Sequence, residues 1–328
     1  MISKFTKAFL ARNFHTFNKH ISSKAPAQLS NIYQPCIETS LKNIPNLVVL
    51  HGVLGSSKNF RGITHNPKIS SKVNTHLLDL RNHGKSDHRE SMTYPEMAED
   101  IYNYFLQHDL MDDENIVLGH SMGGRVAMEF AARHPDLVKA VTVVDLAPYN
   151  YFEDKRFGFI EIMDLMLEKL VQIDLKDKSL SDLRKEVIKA SVNKETGEVI
   201  ATNLVPDELG GYKWRINLEG IYKHFKTEIM DLEYIGTQKF GGPVKIICGE
   251  QSEYMSRDII HSYKKVFANI DLEKDVHFLD NAGHWVHASQ PHQFINLVSE
   301  FIDQVCPQAL SEDEDRYQFS IPAHHHSL

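Results

Sequence analysis

Residues 116–130 read IVLGHSMGGRVAMEF. It holds a G-x-S-x-G pattern from Gly119 to Gly123 with Ser121 at its centre. The apolar run before the pattern predicts a strand, and the small and apolar residues after it predict a helix. Glycines are needed two positions on either side of the serine because a Cβ there would collide with the tight turn. The stretch therefore predicts a nucleophile elbow with Ser121 as nucleophile; a glycine-rich turn without chemistry is the alternative.

Short β-rich runs alternate with helical patterns on both sides of the elbow. Strands are predicted at 47–50, 75–80, 116–118, 138–144, 244–248 and 276–279. Helices are predicted from a capping box at Thr93 to about Leu110, from 122 to about 134, over 257–267 and over 291–305. Strands that alternate with helices indicate an α/β fold whose mostly parallel sheet carries helices on both faces.

The stretch 149–235 breaks this alternation. It has helix-like apolar spacing, many charges and no convincing strand. Because it is too long for one crossover connection, it predicts an inserted helical cap over one edge of the sheet. The predicted core is then 36–148 together with 236–308. A set of ordinary crossover helices is the alternative.

The two ends of the chain differ from its body in composition. The first 37 residues carry basic charges only, and apolar residues recur in them at near-helical spacing. This composition predicts a mitochondrial transit peptide over 1–35 and a location in the mitochondrion, with the matrix favoured. A disordered basic tail is the alternative. Residues 309–328 are acidic and then histidine-rich, and they predict a disordered tail.

Charge and cysteine content exclude several classes of protein. The net charge is −8 and the body has no long basic block, which argues against nucleic acid as a partner. No apolar run approaches the ~18 residues of a membrane-spanning helix. Cys36, Cys248 and Cys306 lie far apart, so neither a zinc site nor a disulfide framework is predicted. The sequence makes no prediction of the oligomeric state.

An oxyanion hole is predicted beside the serine. Residues 49–56 read VLHGVLGS, and their glycines follow a buried strand where the backbone can turn sharply. The expected donors are the backbone N–H groups of Val53 and Met122. His51 is expected to hold this loop by hydrogen bonds rather than to act as an acid or base.

The base is predicted in the loop after the last strand. Residues 279–287 read LDNAGHWVH, and His284 follows a glycine at the place from which a side chain can reach over the sheet edge. The rivals His287 and His292 fall in or near the final helix, and His277 falls inside the strand.

The acid that orients the base is harder to assign. Asp145 ends the strand after the nucleophile helix, whereas Glu250 and Glu253 follow the next strand, where such folds more often carry their acid. Asp is shorter and better held than Glu, and the cap begins close to Asp145. The residues alone favour Asp145 and leave Glu250 open.

These motifs together resemble the α/β-hydrolase superfamily. Residues 47–88, GHSMGG at 119–124, VVDLAP at 143–148 and DNAGHW at 280–285 resemble the ABHD11-type esterases and the fungal ethanol acetyltransferases. With the transit-peptide-like start, the likeness is closest to the mitochondrial ethanol acetyltransferases of yeasts. The resemblance implies a Ser121–Asp145–His284 triad, acetyl transfer from acetyl-CoA to ethanol, and thioesterase and esterase side reactions. It implies no cofactor and no metal, with acetyl-CoA, ethanol and short esters as substrates.

Residues that bind the phosphates of CoA are not evident in the sequence. The candidates are scattered cations, each of which is also explained as solvated surface charge: Arg81, Lys85, Lys155, Arg156, Lys213 and Arg215. Two other functions stay open. One is a mitochondrial serine ester hydrolase without transferase activity, and the other is a binding protein that keeps the fold without catalysis.

Overall fold

The computed structural model describes residues 25–38, 40–41, 43–231 and 238–307. Residues 1–24 of the predicted transit peptide and the whole predicted tail, 309–328, therefore lie outside the described residues. The strands are β1 (Asn31–Gln34), β2 (Asn46–Leu50), β3 (Asn74–Leu78), β4 (Asn115–His120), β5 (Ala140–Val144), β6 (Leu204–Pro206), β7 (Tyr212–Trp214), β8 (Val244–Gly249) and β9 (Val276–Leu279). The helices are α1 (Arg61–Thr64), α2 (Pro67–Ser70), α3 (Tyr94–Gln107), α4 (Met122–Arg133), α5 (Phe159–Val171), α6 (Leu180–Ala190), α7 (Lys194–Ala201), α8 (Leu218–His224), α9 (Val286–Ser289) and α10 (Pro291–Val305).

Seven strands form one sheet in the order β1-β3-β2-β4-β5-β8-β9. Every neighbouring pair is parallel except β1 with β3. The predicted α/β fold with a mostly parallel sheet is confirmed. In such a sheet the carboxyl ends of the strands meet at one edge, which is where ligands bind.

Alternate residues of the strands supply two separate cores. In β2, Val48 and Leu50 pack on the side of α3 and α4, whereas Leu47 and Val49 pack on the side of α2 and α10. All four side chains are buried. Burial on both faces is the physical reason why this strand is a continuous apolar run in the sequence.

The predicted amino-terminal boundary of the core, residue 36, is wrong. Asn31–Gln34 form the edge strand β1, which is antiparallel to β3 and pairs Asn31 with Leu78. Ahead of it, the Ala27 N–H donates to Asp100 Oδ1 over 2.7 Å. A four-residue, partly exposed edge strand has too little apolar alternation to be recognised without its partner.

The segment after β8 also differs from its prediction. A helix was expected over 257–267, but the structure has a 3₁₀ helix over Ile260–Lys265. Its backbone bonds close tight turns, such as Ser262 N–H to the Ile259 carbonyl and Val266 N–H to the Tyr263 carbonyl. The apolar spacing that predicted an α-helix reflects burial of single residues such as Tyr263.

The inserted segment, here called the cap segment (149–235, described to residue 231), contains α5–α8, a π-helical turn over Phe225–Ile229 and the hairpin β6–β7. The expectation of a segment without strands is therefore wrong. The hairpin turns at Gly210 and Gly211, both with positive φ. Strands of three residues are too short to show a period of two, so the paired glycines are the local signal that was available.

Among the described residues, no helix has the length and hydropathy that crossing a bilayer requires. The His, Cys, Asp and Glu side chains of the same residues form no group of three or more suited to a metal ion.

Candidate active site

The turn between β4 and α4 has the geometry of a nucleophile elbow. Ser121 has φ 54° and ψ −123°, a conformation that L-residues rarely adopt. A Cβ added to Gly119 would overlap the backbone of Gly123, and one added to Gly123 would overlap the carbonyl oxygen of Leu50. The glycine spacing of the G-x-S-x-G pattern therefore has a steric cause in the structure.

Backbone hydrogen bonds hold the ends of β4, β5 and β8 at the same edge of the sheet. The Ser121 N–H donates to the Val144 carbonyl over 2.9 Å, and the Asp145 N–H donates to the Ile247 carbonyl over 3.0 Å. Ser121 and Asp145 thus follow two adjacent strands at corresponding positions. The parallel sheet brings together two residues that lie 24 positions apart in the sequence.

Asp145 and His284 form a hydrogen-bonded pair. His284 Nδ1 lies 2.7 Å from Asp145 Oδ2, and Asp145 is fully buried. A carboxylate oxygen accepts, so Nδ1 carries the proton and Nε2 is left as the basic nitrogen. The carboxylate also accepts from the Gly249 N–H over 2.8 Å and from the Ser252 hydroxyl. Three donors therefore fix the carboxylate and, through it, the tautomer of the imidazole.

Glu250, the other candidate acid, lies in a different environment. Its Oε2 accepts from Arg257 Nη2 over 2.7 Å in a pair that is well exposed to solvent. Ser252 in the same loop is the residue that reaches Asp145. Ser252 was not predicted, because only the carboxylates of this loop were candidates for the acid; its position three residues after β8 was the available signal.

The His284 ring lies between aromatic neighbours that sequence analysis also missed. Tyr254 stacks on it with ring centroids 3.8 Å apart and planes inclined by 19°. The His120 ring lies 4.7 Å away, and His120 Nε2 donates to the His284 backbone carbonyl over 2.9 Å. Burial lowers the pKa of His120 well below its usual value, so this supporting ring is neutral. These contacts restrict the rotation of the His284 side chain.

The three rival histidines have other surroundings. His287 is buried and stacks on Phe60 with centroids 4.1 Å apart, and burial lowers its pKa to about 3. His277 lies on β9 with its Nε2 3.1 Å from Lys245 Nζ. His292 is exposed near the start of α10. His284 is the histidine that the structure brings to Asp145.

The two expected oxyanion donors lie beside Ser121. Val53, Met122 and Ser121 line one cavity. A Cβ added to Gly52 would lie 3.2 Å from the Ser121 Cβ, so the loop that carries Val53 passes close to the nucleophile. Met122 is the first residue of α4, and the first N–H groups of a helix have no acceptor within the helix.

Two histidines support the loop that carries Val53. His51 Nδ1 donates to the Gly52 carbonyl over 2.7 Å, and its Nε2 accepts from the Leu80 N–H over 3.0 Å. His83 Nε2 accepts from the Leu54 N–H over 3.0 Å. Burial lowers the pKa of His83 to about 3, so the ring is neutral and its nitrogen stays an acceptor. His51 has the loop-holding contacts expected of it, whereas His83 was not anticipated.

The cavity above Ser121 measures about 1230 Å³ and is lined by core and cap residues. Its buried lining is mostly apolar and includes Leu146, Phe159, Met163, Phe225, Ile229 and Met230. Its exposed charged residues are three acids and one base: Glu195, Glu198, Glu253 and Arg184. Among the described residues, Arg184 is the one lysine or arginine that lines the cavity.

The six cations considered for CoA phosphates are absent from the lining formed by the described residues. Arg81 is buried and pairs with Asp100, its Nε 2.6 Å from Oδ2. Arg156 pairs with Asp154, and Lys213 lies 3.5 Å from Asp207. Arg81 therefore has a structural role, and the others meet local partners or solvent.

An elbow serine at the carboxyl edge of a parallel sheet, lining one cavity with a histidine bonded to a buried aspartate, defines the α/β-hydrolase class. A family model described as alpha/beta hydrolase fold matches residues 45–291, and the chain belongs to this family.

Relatives and solved structures agree with this assignment. The chain is 34% identical over 267 residues to a protein of Xenopus laevis named sn-1-specific diacylglycerol lipase ABHD11, covering 79% of this chain and 80% of that one. It is 26% identical over 305 residues to a protein of Cyberlindnera fabianii named probable alcohol acetyltransferase, covering 86% and 80%. A solved esterase from a marine microorganism superposes with a TM-score of 0.74 at 29% identity, covering 84% and 99%.

Proposed function

We propose that the protein is a serine-dependent acyl-transfer enzyme of the esterase and lipase type. The observation that carries the proposal is the 2.7 Å bond between His284 Nδ1 and buried Asp145, beside an elbow serine that lines the same cavity as His284. This arrangement leaves His284 Nε2 free to accept the proton of the Ser121 hydroxyl.

The reaction then has two steps. Ser121 Oγ attacks the carbonyl carbon of an ester or thioester, and the N–H groups of Val53 and Met122 stabilise the oxyanion. The protonated His284 gives its proton to the departing alkoxide or thiolate, which leaves an acyl-Ser121. A second nucleophile, deprotonated by His284, attacks this ester and releases Ser121.

The finer proposal is that this second nucleophile is ethanol and that the acyl donor is acetyl-CoA, which yields ethyl acetate. Fungal relatives named probable alcohol acetyltransferase support this assignment at 26–27% identity. If water attacks instead, the same intermediate yields acetate, so thioesterase and esterase activities accompany the transfer. The transfer therefore depends on how well the cavity favours ethanol over water.

A second candidate is a hydrolase of uncharged esters with long acyl chains. The cavity of about 1230 Å³ is far larger than an acetyl group, and its buried lining is mostly apolar. Three exposed glutamates and one arginine line it, which disfavours the several phosphate charges of CoA. The vertebrate relatives named diacylglycerol lipase support this candidate.

Product partition distinguishes the two candidates. Purified protein is supplied with acetyl-CoA, with and without ethanol, and separately with a long-chain monoester; ethyl acetate, acetate and fatty acid are measured. Ethyl acetate as the main product supports the transferase, whereas acetate or fatty acid at an unchanged rate in ethanol supports the hydrolase.

Ser121→Ala tests the covalent intermediate that both candidates share. We expect this variant to lose all of these activities, because each passes through acyl-Ser121. Ser262→Ala is a matched control, since Ser262 is buried and does not line the cavity. Turnover by Ser121→Ala near the wild-type rate would exclude the proposed mechanism.

A further inference from the structure

The cap segment contacts the loop that carries the expected oxyanion donor. Asn203, which directly precedes β6, donates from Nδ2 to the Leu54 carbonyl over 2.8 Å. On its other side, the Leu54 N–H donates to His83 Nε2 over 3.0 Å. All three residues are buried, so these bonds do not compete with bulk water. Leu54 is thus held between a core residue and a cap residue that lies 149 positions away in the sequence.

Leu54 has a backbone conformation that requires such support. Its φ is 62°, in the left-handed region that an L-residue with a branched side chain rarely adopts. A strained conformation persists where its surroundings over-determine it, and such positions cluster at functional sites. Here the residue directly follows Val53.

A chain of hydrogen-bonded peptide groups leads from Asn203 to the Val53 N–H. The Leu54 carbonyl, which accepts from Asn203, shares its peptide group with the Gly55 N–H. That N–H donates over 3.0 Å to the carbonyl of Gly52. The Gly52 carbonyl in turn shares its peptide group with the Val53 N–H. Because a peptide group is planar, fixing one of its ends fixes the direction of the other.

Asn203 is itself held firmly within the cap segment. Its N–H donates to the Ile200 carbonyl at the end of α7 over 2.9 Å, and its own carbonyl accepts from the Arg215 N–H over 2.8 Å. Nearby, Asn217 donates from Nδ2 to Asn82 Oδ1 over 3.1 Å, and Asn82 directly precedes His83. The cap segment therefore supplies one support of Leu54, Asn203, and contacts the residue that precedes the other support, His83.

We propose that Asn203 is a positioning residue that couples the seating of the cap segment to the oxyanion hole. With the cap seated, Asn203 orients the Leu54–Gly55 peptide group and, through Gly52, aims the Val53 N–H at the developing oxyanion. When the Asn203 bond is lost, the cavity keeps its lining and His51 still donates to the Gly52 carbonyl, but the Leu54–Gly55 peptide group is no longer fixed from the cap side and the Val53 N–H is aimed less accurately. This inference rests on the proposed function, because it assigns Asn203 a part in stabilising the same oxyanion.

The test compares Asn203→Ala and Asn203→Asp with Asn115→Ala. The aspartate is isosteric but offers oxygen atoms that only accept, so it repels the Leu54 carbonyl. Asn115 is an equally buried asparagine whose Nδ2 donates to backbone carbonyls, among them that of Leu110 over 2.7 Å. It lies at the amino end of β4, the opposite end from Ser121. Asn115→Ala therefore measures the loss of stability caused by removing a buried amide far from the candidate active site.

Two readouts separate positioning from stability. The first is kcat/KM for 4-nitrophenyl butyrate per folded molecule, with the folded fraction taken from unfolding followed by circular dichroism. The second compares affinity for two ligands. An alkyl trifluoromethyl ketone forms an adduct with Ser121 that carries an oxyanion, whereas the corresponding trifluoromethyl alcohol forms no adduct. We expect the Asn203 variants to lose about 10- to 100-fold in kcat/KM and in ketone affinity together, less than the loss of a whole donor. Their affinity for the alcohol should not change.

Asn115→Ala should keep both kcat/KM and ketone affinity within about threefold of wild type while its unfolding midpoint falls. If Asn203→Ala does not accumulate as folded protein, the isosteric Asn203→Asp carries the test. Wild-type ketone affinity in a folded Asn203 variant would overturn the inference and leave the proposed function intact. Absence of wild-type ester turnover that depends on Ser121 would instead overturn the proposed function.

Discussion

At the scale of single residues, Asp145 is the most constrained side chain of the candidate site. It is fully buried, has a positive φ of 54°, and accepts hydrogen bonds from His284, Gly249 and Ser252. A carboxylate with three donors has one orientation, so the imidazole that it contacts has one tautomer. Ser252 supplies one of these three donors.

Asp145→Asn should leave the fold intact and slow the chemical step by orders of magnitude. The amide would offer N–H groups to His284 Nδ1, which would move the ring proton to Nε2 and remove the base. The comparable change in a serine protease costs ~10⁴ in kcat. Turnover of one ester by purified variants measures the effect.

Glu250→Gln is the matched control for this prediction. Glu250 pairs with Arg257 near the surface, so its neutralisation should change turnover little. An inactive Glu250→Gln beside an active Asp145→Asn would show that the other carboxylate orients the histidine.

At the scale of elements, the strand–turn–helix unit β4–α4 is held by backbone contacts that leave no room for side chains. Gly119 faces the backbone of Gly123, and Gly123 faces the backbone of β2. Backbone atoms move only if the whole element moves, unlike the ends of flexible side chains. The elbow and the strand beside it therefore form one rigid unit, as a preorganised nucleophile requires.

Gly119→Ala should destabilise the protein by about 1–3 kcal/mol or more, because the new methyl group overlaps backbone. Ester turnover per folded molecule should also fall, since the overlap is relieved only by moving Ser121. Urea unfolding and turnover measure the two effects. Gly158→Ala is the control: a Cβ at this position, before α5, meets nothing within 4 Å, so the cost should stay below about 1 kcal/mol. Equal effects of the two substitutions would contradict this account.

At the scale of the whole molecule, five buried histidines make stability depend on pH. Burial lowers the pKa of His83 and His287 to about 3 and that of His76 to about 4. It lowers the pKa of His51 and His120 as well. All five are neutral in both states above their unfolded pKa of about 6.5. Below that pH the unfolded chain binds protons that the folded protein excludes, so stability falls with pH from about 6.5 towards 3.

Within that pH range, each histidine should lower the free energy of unfolding by up to ~1.4 kcal/mol for each unit by which the pH falls. Urea unfolding at pH 7.5, 6.5 and 5.5 measures it. His287→Asn should remove the share of one histidine from the slope while lowering stability at pH 7.5 through loss of the stack on Phe60. A free energy of unfolding that stays flat from pH 7.5 to 5.5 would contradict the prediction.

Truncations test how the predicted transit peptide relates to the folded body. Removal of residues 1–24 should leave stability and turnover unchanged and abolish import into mitochondria, as proposed from their basic, amphipathic composition. Removal of residues 1–34 also deletes β1 and the bond from Ala27 to Asp100, so it should lower the unfolding midpoint. Import of the variant that lacks residues 1–24 would refute the targeting proposal. Equal stability of the two truncated variants would refute the role of β1.

Features that depend on local interactions could be predicted from the sequence. The glycines around Ser121, the continuous apolar run of β2 and the capping box at Thr93 each leave a pattern within a few residues, and the predicted fold class was confirmed. His284 stood out because it follows a glycine directly after a strand. The edge strand β1 and the hairpin β6–β7 were not predicted, because their strands have four and three residues, too few to show the alternation of apolar and polar residues.

The contacts between residues far apart in the sequence could not be predicted in the same way. Asp145 and Glu250 each follow a strand, and the sequence leaves both as candidates for the acid that orients His284. The register of β5 beside β8 directs the Asp145 carboxylate to His284 and to Ser252. The contact between Asn203 and Leu54 likewise leaves no sequence pattern. A hydrogen bond across 149 residues depends on how the cap segment packs on the sheet, and packing is set by the shapes of many side chains at once rather than by any local repeat.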